Sequence, residues 1–132
     1  MKLTDFVVKF LINKKIGHVF GYPGGMITHF MDSFEKNRDK IMMHTNYHEQ
    51  ASAFAACGYA QDSLKPGIAL ATSGPGVTNL MTGICNAYFD SIPCIFFTGQ
   101  VNVYESKKDL KVRQKGFQEM EVLSMVENVT KK

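Results

Sequence analysis

The chain has 132 residues, of which 45% are hydrophobic and 20% are charged, and its net charge is +3. This length and composition predict a single globular domain over residues 1–132 with a buried core. The small positive charge lies mostly in residues 107–115, where Asp109 dilutes it, so nucleic acid is not an expected partner.

Membrane and secretory signals are missing from the sequence. No apolar run reaches the ~20 residues of a membrane span, and the first residues lack the pattern of a signal peptide. The three cysteines, Cys57, Cys85 and Cys94, are an odd number without a CxxC pair, which argues against both a disulfide framework and a zinc site. We expect a soluble cytoplasmic protein with buried free thiols and no metal ligands of its own.

Hydrophobic periodicity predicts helices that alternate with strands along the chain. The first helix is expected to begin with Thr4 as its N-cap and to end before Gly17. The other predicted helices span about 27–34, 49–60, 77–89 and 118–126. The predicted strands span 18–20, 41–44, 68–71 and 92–98.

Such alternation predicts a three-layer αβα fold with a parallel sheet and helices on both faces. The interior of the fourth strand, 94–97, is apolar on both faces, which is typical of a fully buried parallel strand. Ligands of these sheets bind at the carboxyl ends of the strands. The loops that follow the strands lie around Pro23, Glu49, Pro75 and Gln100.

Two glycine- and proline-rich loops flank Glu49 in the chain, at 21–25 and 72–76. Each loop taken alone is typical of a tight turn, and Glu49 taken alone is typical of a first-turn acid that complements the helix dipole. Together, each just after a predicted strand and with Glu49 between them, they indicate a ligand site with Glu49 as its acid or base.

Several familiar motifs are incomplete. The His48-Glu49 pair lacks the second histidine of a zinc protease, because Ser52 stands in its place. The glycine loops lack the Lys-Ser/Thr of a P-loop and the third glycine of a dinucleotide fingerprint. Ser73 is not part of a GxSxG nucleophile elbow.

Seven short motifs nevertheless come in an order that resembles one family. They are FGYPGG (20–25), HEQ (48–50), GYA (58–60), ATSGPGVTN (71–79), DSIP (90–93), TGQV (98–101) and FQE (117–119). Over nearly the whole chain, this series is similar to the N-terminal, pyrimidine-binding domain of thiamine-diphosphate-dependent enzymes of the acetohydroxyacid (acetolactate) synthase type. The resemblance implies their fold without its last helix and strand.

The resemblance also implies roles for individual residues. Glu49 would hydrogen-bond the aminopyrimidine of thiamine diphosphate and so promote loss of the thiazolium C2 proton, the first step in decarboxylation of a 2-keto acid such as pyruvate. Phe117 and Gln118 would face the reacting centre from a loop, with Gln118 taking part in catalysis. The residues implied to line the cofactor pocket are Tyr22, Pro23, Gly24, Glu49, Thr72, Pro75, Gly76 and Asn79.

The family holds the diphosphate and its Mg²⁺ with a Gly-Asp-Gly…Asn motif in another domain, and this chain has no such motif. The resemblance therefore implies a homo-oligomer or a separate diphosphate-binding subunit as partner, within a longer or a split enzyme. It also implies that the isolated chain is inactive. FAD occurs in some relatives, but no motif here indicates it.

Two departures from the family pattern leave the keto-acid substrates and the pathway open. Tyr47 replaces a basic residue before the His-Glu pair, and Arg113-Gln-Lys-Gly116 replaces the usual Gly-Thr-Asp-Ala. The sequence at 113–116 is similar to that of relatives in cell-surface sugar pathways, so the resemblance does not assign the keto acids.

A non-catalytic interaction domain that retains only the fold is the competing hypothesis, because the diphosphate motif is missing from this sequence.

Overall fold

A computed structural model describes residues 1–131. Its elements alternate as the sequence predicts, in the order α1 (Leu3–Asn13), β1 (His18–Gly21), a 3₁₀ turn (Gly25–Ile27), α2 (Thr28–Glu35), β2 (Met42–Thr45), α3 (Glu49–Ser63), β3 (Gly67–Ala71), α4 (Pro75–Phe89), β4 (Cys94–Thr98) and α5 (Leu123–Val126).

The four strands form one parallel sheet in the order β2-β1-β3-β4. This confirms the predicted α/β class. The chain moves from β1 to β2 on one side and then to β3 on the other side of β1. The connection after β1 leads to β2 and the connection after β3 leads to β4, in opposite directions, so the adjacent ends of β1 and β3 form a topological switch point, which is where parallel sheets bind ligands.

Two apolar clusters cover the two faces of the sheet, and β3 serves both by alternation of its side chains. Ile68 and Leu70 join the cluster that includes Val8, Leu11 and Phe34 of α1 and α2. The other face carries the small side chains of Ala69 and Ala71, which join residues of α3 and α4. All five residues of β3 are buried, so this strand is the centre of the domain.

The predicted N-termini of three helices need small corrections, of which one is that α4 begins at Pro75 rather than Val77. Helix α1 has Lys2 at its N-cap position, and the Thr4 hydroxyl lies 2.9 Å from that of Ser33 instead. Thr4 therefore links α1 to α2 rather than capping α1. The second helix begins at Thr28, after the 3₁₀ turn Gly25–Ile27, and not at Ile27.

The prediction that the fourth strand is buried on both faces is wrong. Within residues 1–131, β4 has a neighbouring strand on one side only, and Ile95 is 38% exposed. The cysteine prediction is only partly right, because all three thiols are free but only Cys57 is buried. Burial and the adjacent Cys57 sulfur raise the pKa of Cys94 to about 12, so this thiol is not a nucleophile at neutral pH.

The last helix is much shorter than the predicted span 118–126. It covers only Leu123–Val126, and Gln118 has a φ of +54°, which a helix cannot contain. The hydrogen bonds of the segment around Gln118 run to a preceding loop rather than along a helix. None of the helices within residues 1–131 combines the length and the apolar character that crossing a membrane requires.

Two histidines contact each other on adjacent strands. His18 Nδ1 lies 2.8 Å from His44 Nε2, and the His44 ring stacks on Phe20. Burial, and to a lesser degree His18, lowers the pKa of His44. Because protonation of His44 is harder in the folded chain than in the unfolded one, the free energy of unfolding should decrease as the pH falls below about 6.5.

We expect the thermal midpoint of the chain to be lower at pH 5.5 than at pH 7.5. His44→Gln keeps a polar group next to His18 but cannot titrate, so it should reduce this difference. Calorimetric melting of both proteins at the two pH values measures the effect. An undiminished pH dependence in His44→Gln would assign the titration to another group.

Candidate active site

The loops after β1 and β3 meet at Thr72. The Thr72 hydroxyl accepts a hydrogen bond from the backbone N–H of Met26 at 3.2 Å. A Cβ added to Gly24 would overlap the Thr72 side chain, and one added to Gly76 would lie 2.9 Å from Thr72 Cγ2. Side chains at these two glycines are therefore excluded by the close packing of both loops on Thr72.

Glu49 lies next to these loops and is placed there by the segment that follows β2. Its neighbour His48 is the N-cap of α3, and the His48 imidazole accepts a hydrogen bond from the Gln50 N–H at 3.1 Å. The cap sets the first turn of α3, and Glu49 is the first residue of that turn. Only 8% of Glu49 is exposed.

The two oxygens of the Glu49 carboxylate have different surroundings. Asn79 Nδ2 donates to Glu49 Oε2 at 2.9 Å. Oε1 makes no hydrogen bond to another group among residues 1–131. Every fully buried side-chain oxygen in this part of the chain has a hydrogen-bond partner, so Oε1 is not fully buried. Oε1 therefore lies at the accessible surface, beside Gly76, whose added Cβ would be 3.4 Å away.

No cation neutralises this carboxylate in the described part of the chain. The three ion pairs there all join residues of α1 and α2 or the segment next to them, far from α3 in sequence. A buried carboxyl group with one fixed oxygen and one accessible oxygen can exchange a hydrogen bond or a proton with a bound ligand.

The segment that carries Phe117 and Gln118 lies against the Gly74–Pro75 turn. Gly74 has a φ of +59°, and a Cβ there would come within 2.5 Å of the Gln118 carbonyl oxygen. Gln118 is exposed, and Phe117 is 74% exposed. Both side chains are thus available at the rim of the site.

The structure divides the predicted site residues into two groups. The inner group, which is linked by a chain of pairwise contacts, comprises Gly24, Glu49, Thr72, Gly76 and Asn79. The outer group is exposed and comprises Tyr22, Pro23, Pro75, Phe117 and Gln118. The arrangement brings together loops that are up to about a hundred residues apart in the chain.

Two residues near the site carried no role in the sequence analysis. Gln100 Nε2 donates to the Met120 carbonyl oxygen at 2.8 Å, and Glu119 binds the preceding loop. Both belong to short motifs, TGQV and FQE, that were noted only as similarities. Their partners are distant in sequence, so no local pattern could have revealed the roles.

Metal ligands are a separate matter from the cofactor pocket. Within residues 1–131, no group of three or more His, Cys, Asp or Glu side chains is arranged to hold a metal ion. The residues of the site fit a ligand with hydrogen-bonding ring nitrogens, because Glu49 Oε1 is accessible and can accept a hydrogen bond from such a ligand.

A parallel sheet with a buried carboxylate between two Gly-Pro loops at its switch point defines a ligand-binding α/β domain. The chain belongs to the family described as "Thiamine pyrophosphate enzyme, N-terminal TPP binding domain", whose family model matches residues 1–125. The resemblance seen in the sequence is thereby confirmed.

Similar proteins with curated names are acetolactate synthase large subunits. A probable one from Methanocaldococcus jannaschii is 40% identical over 132 residues, which cover 99% of this chain and 21% of the relative. Isozyme 2 from Escherichia coli is 40% identical over 95% of this chain and 21% of the relative. The Lactococcus lactis protein is 41% identical over 97% and 21%. The chain thus spans about a fifth of the length of these relatives.

Proposed function

We propose that this chain is the pyrimidine-binding portion of an acetolactate synthase-like, thiamine-diphosphate-dependent enzyme that decarboxylates or joins 2-keto acids. The observation that carries the proposal is the state of the Glu49 carboxyl group. It is 8% exposed, fixed through Oε2 by Asn79 and accessible through Oε1. Family membership supplies the cofactor class, and this carboxylate is the group in the chain suited to activate it.

The roles proposed for the chain's own residues follow from their contacts. Glu49 Oε1 would share a hydrogen bond with a ring nitrogen of the aminopyrimidine, and Asn79 would keep the carboxyl group in the orientation for that bond. Gly24 and Gly76 pack on the Thr72 side chain, and this packing would hold the two loops in place beside the ring. The low local dielectric strengthens each of these contacts.

When bound, thiamine diphosphate supplies the carbon nucleophile and the electron sink for keto-acid chemistry. Glu49 would accept and return a proton at the ring nitrogen it contacts. Gln118 and Phe117, at the rim, would contact the substrate side of the cofactor. The class is that of a transferase or lyase, and the cytoplasm is the proposed location.

The diphosphate and its Mg²⁺ would be held by another polypeptide segment. Residues 1–132 contain no Gly-Asp-Gly…Asn motif, so we propose that they form one domain that is completed by a second copy of a longer chain or by a separate diphosphate-binding subunit. We refer to the complex of this chain with that segment as the assembled enzyme.

Titration calorimetry with thiamine diphosphate and Mg²⁺ tests the proposal. The 132-residue chain alone is expected to bind with a Kd near ~1 mM or weaker, since it would hold only the ring. The assembled enzyme should bind at least ~100-fold more tightly, because the two halves of the site act on one ligand. Metal-dependent micromolar binding or turnover of pyruvate by the isolated chain would contradict the division of the site.

A non-catalytic interaction domain is the second candidate, and the missing diphosphate motif is the observation that favours it. The same titration separates the two. If the assembled complex forms but binds no thiamine diphosphate, the chain has kept the fold and lost the chemistry.

A further inference from the structure

The carboxylate of Glu119 accepts hydrogen bonds from the loop that precedes it in the chain, residues 106–116. Glu119 Oε1 accepts hydrogen bonds from the Lys107 N–H at 2.7 Å and the Ser106 hydroxyl at 3.0 Å. Glu119 Oε2 accepts from the N–H groups of Lys115 at 3.0 Å and Gly116 at 3.3 Å. Both oxygens are thus used, and all four donors lie within residues 106–116.

These bonds keep Glu119 ionised. The backbone N–H of Lys115 contributes most, and together with Lys107, Gly116 and Ser106 it outweighs desolvation and lowers the pKa of Glu119 to about 2. The loop it closes is rich in cations, namely Lys107, Lys108, Lys111, Arg113 and Lys115. A fixed anion at the centre of this loop reduces the repulsion among them.

Two further contacts hold residues 116–120, the segment that contains Glu119. A Cβ on Gly116 would come within 2.7 Å of Val101 Cγ1, so Gly116 packs directly on that buried side chain. Gln100 Nε2 holds the Met120 carbonyl oxygen at 2.8 Å. Residues 116–120 are therefore pinned on both sides of Gln118, whose carbonyl oxygen rests against Gly74.

We propose that Glu119 is a positioning residue for the reaction: through its four hydrogen bonds it holds Phe117 and Gln118 at the rim of the Glu49 pocket. The inference rests on the proposed function, because only that function gives the rim a substrate to face. Glu119 itself does not enter the pocket.

The geometry requires a carboxylate rather than a polar side chain in general. Glutamine has the same shape but offers one acceptor oxygen, and its NH₂ group would face two N–H or O–H donors. Glu119→Gln should therefore lose about half of the contacts and all of the charge. Glu119→Asp keeps the charge but is one methylene shorter, so it should recover part of the effect.

Trypsin reports on the loop without any cofactor, because residues 107–115 contain five of its cleavage sites. We expect cleavage in this loop to be about tenfold faster in Glu119→Gln than in the wild-type chain, since cleavage requires local opening. Ser106→Ala, which removes one donor, should show a smaller increase. Glu121→Gln is the matched control, because Glu121 is exposed and its carboxylate makes no hydrogen bond among residues 1–131. Equal rates in all four proteins would overturn the proposal.

Measurements on the assembled enzyme distinguish a positioning role of Glu119 from an effect on folding and from a role in cofactor activation. Glu119→Gln is expected to lower kcat about tenfold, while exchange of the cofactor's C2 proton stays within about twofold of the wild type. Glu119→Asp should recover part of kcat. Equal losses in exchange and kcat would refute the positioning role. Failure of the proposed function would appear elsewhere, in a wild-type complex without exchange.

Discussion

Glu49→Gln in the assembled enzyme is expected to slow exchange of the cofactor's C2 proton by a factor of ~10² to 10⁴, which is the range for loss of a positioned acid or base. The substitution preserves the shape of the side chain. Asn79 Nδ2 can still donate to the amide oxygen, as it does to Glu49 Oε2 at 2.9 Å. Only the ability to take and return a proton is removed.

Exchange into deuterated solvent, followed by NMR after acid quench, measures this effect directly. Glu35→Gln is a suitable control, because Glu35 is an exposed carboxylate of α2 whose partner is Arg38. Cofactor affinity should change much less than the exchange rate, since the pocket walls are intact. Normal exchange in Glu49→Gln would show that the carboxylate does not activate the cofactor.

Gly83→Ala is expected to lower the free energy of unfolding by about 2–3 kcal/mol, as overpacking of a core does. Gly83 lies in α4, and a Cβ there would overlap the side chain of Ala53 in α3. These helices are in close contact because both present small residues at the crossing. The added methyl group must push α3 and α4 apart, and α3 carries Glu49.

Gly58→Ala is the matched control for this prediction. Gly58 is also in the middle of a helix, α3, but it is exposed and an added Cβ would meet no atom within 4 Å. Alanine there should raise the free energy of unfolding by about 0.5–1 kcal/mol through helix propensity alone. Urea unfolding of the two variants measures both changes in the free energy of unfolding, which should have opposite signs. Stabilisation by Gly83→Ala would mean that α3 and α4 are farther apart than described.

Much of the fold follows from local patterns in the sequence. The apolar spacing in α1 and α2, the short apolar strands and the Gly-Pro loops after β1 and β3 predict the observed alternation, because each pattern reflects the period of its own element. The errors fall where an element depends on distant residues. Residues 118–126 have helical spacing, but Glu119 finds its hydrogen bonds in the loop 106–116 and only Leu123–Val126 becomes helix.

For the site, the sequence by itself determined which residues have the chemistry: a carboxylate at the start of a helix, between two loops that glycine and proline shape. The tertiary structure alone decided the order β2-β1-β3-β4, which makes the ends of β1 and β3 a switch point and leaves Ile95 partly exposed. It also decided that Asn79, thirty residues away, holds one oxygen of Glu49 and leaves the other accessible. The physical reason is that turn chemistry and periodicity act over a few residues, whereas strand order and the partners of a buried carboxylate depend on how distant segments pack.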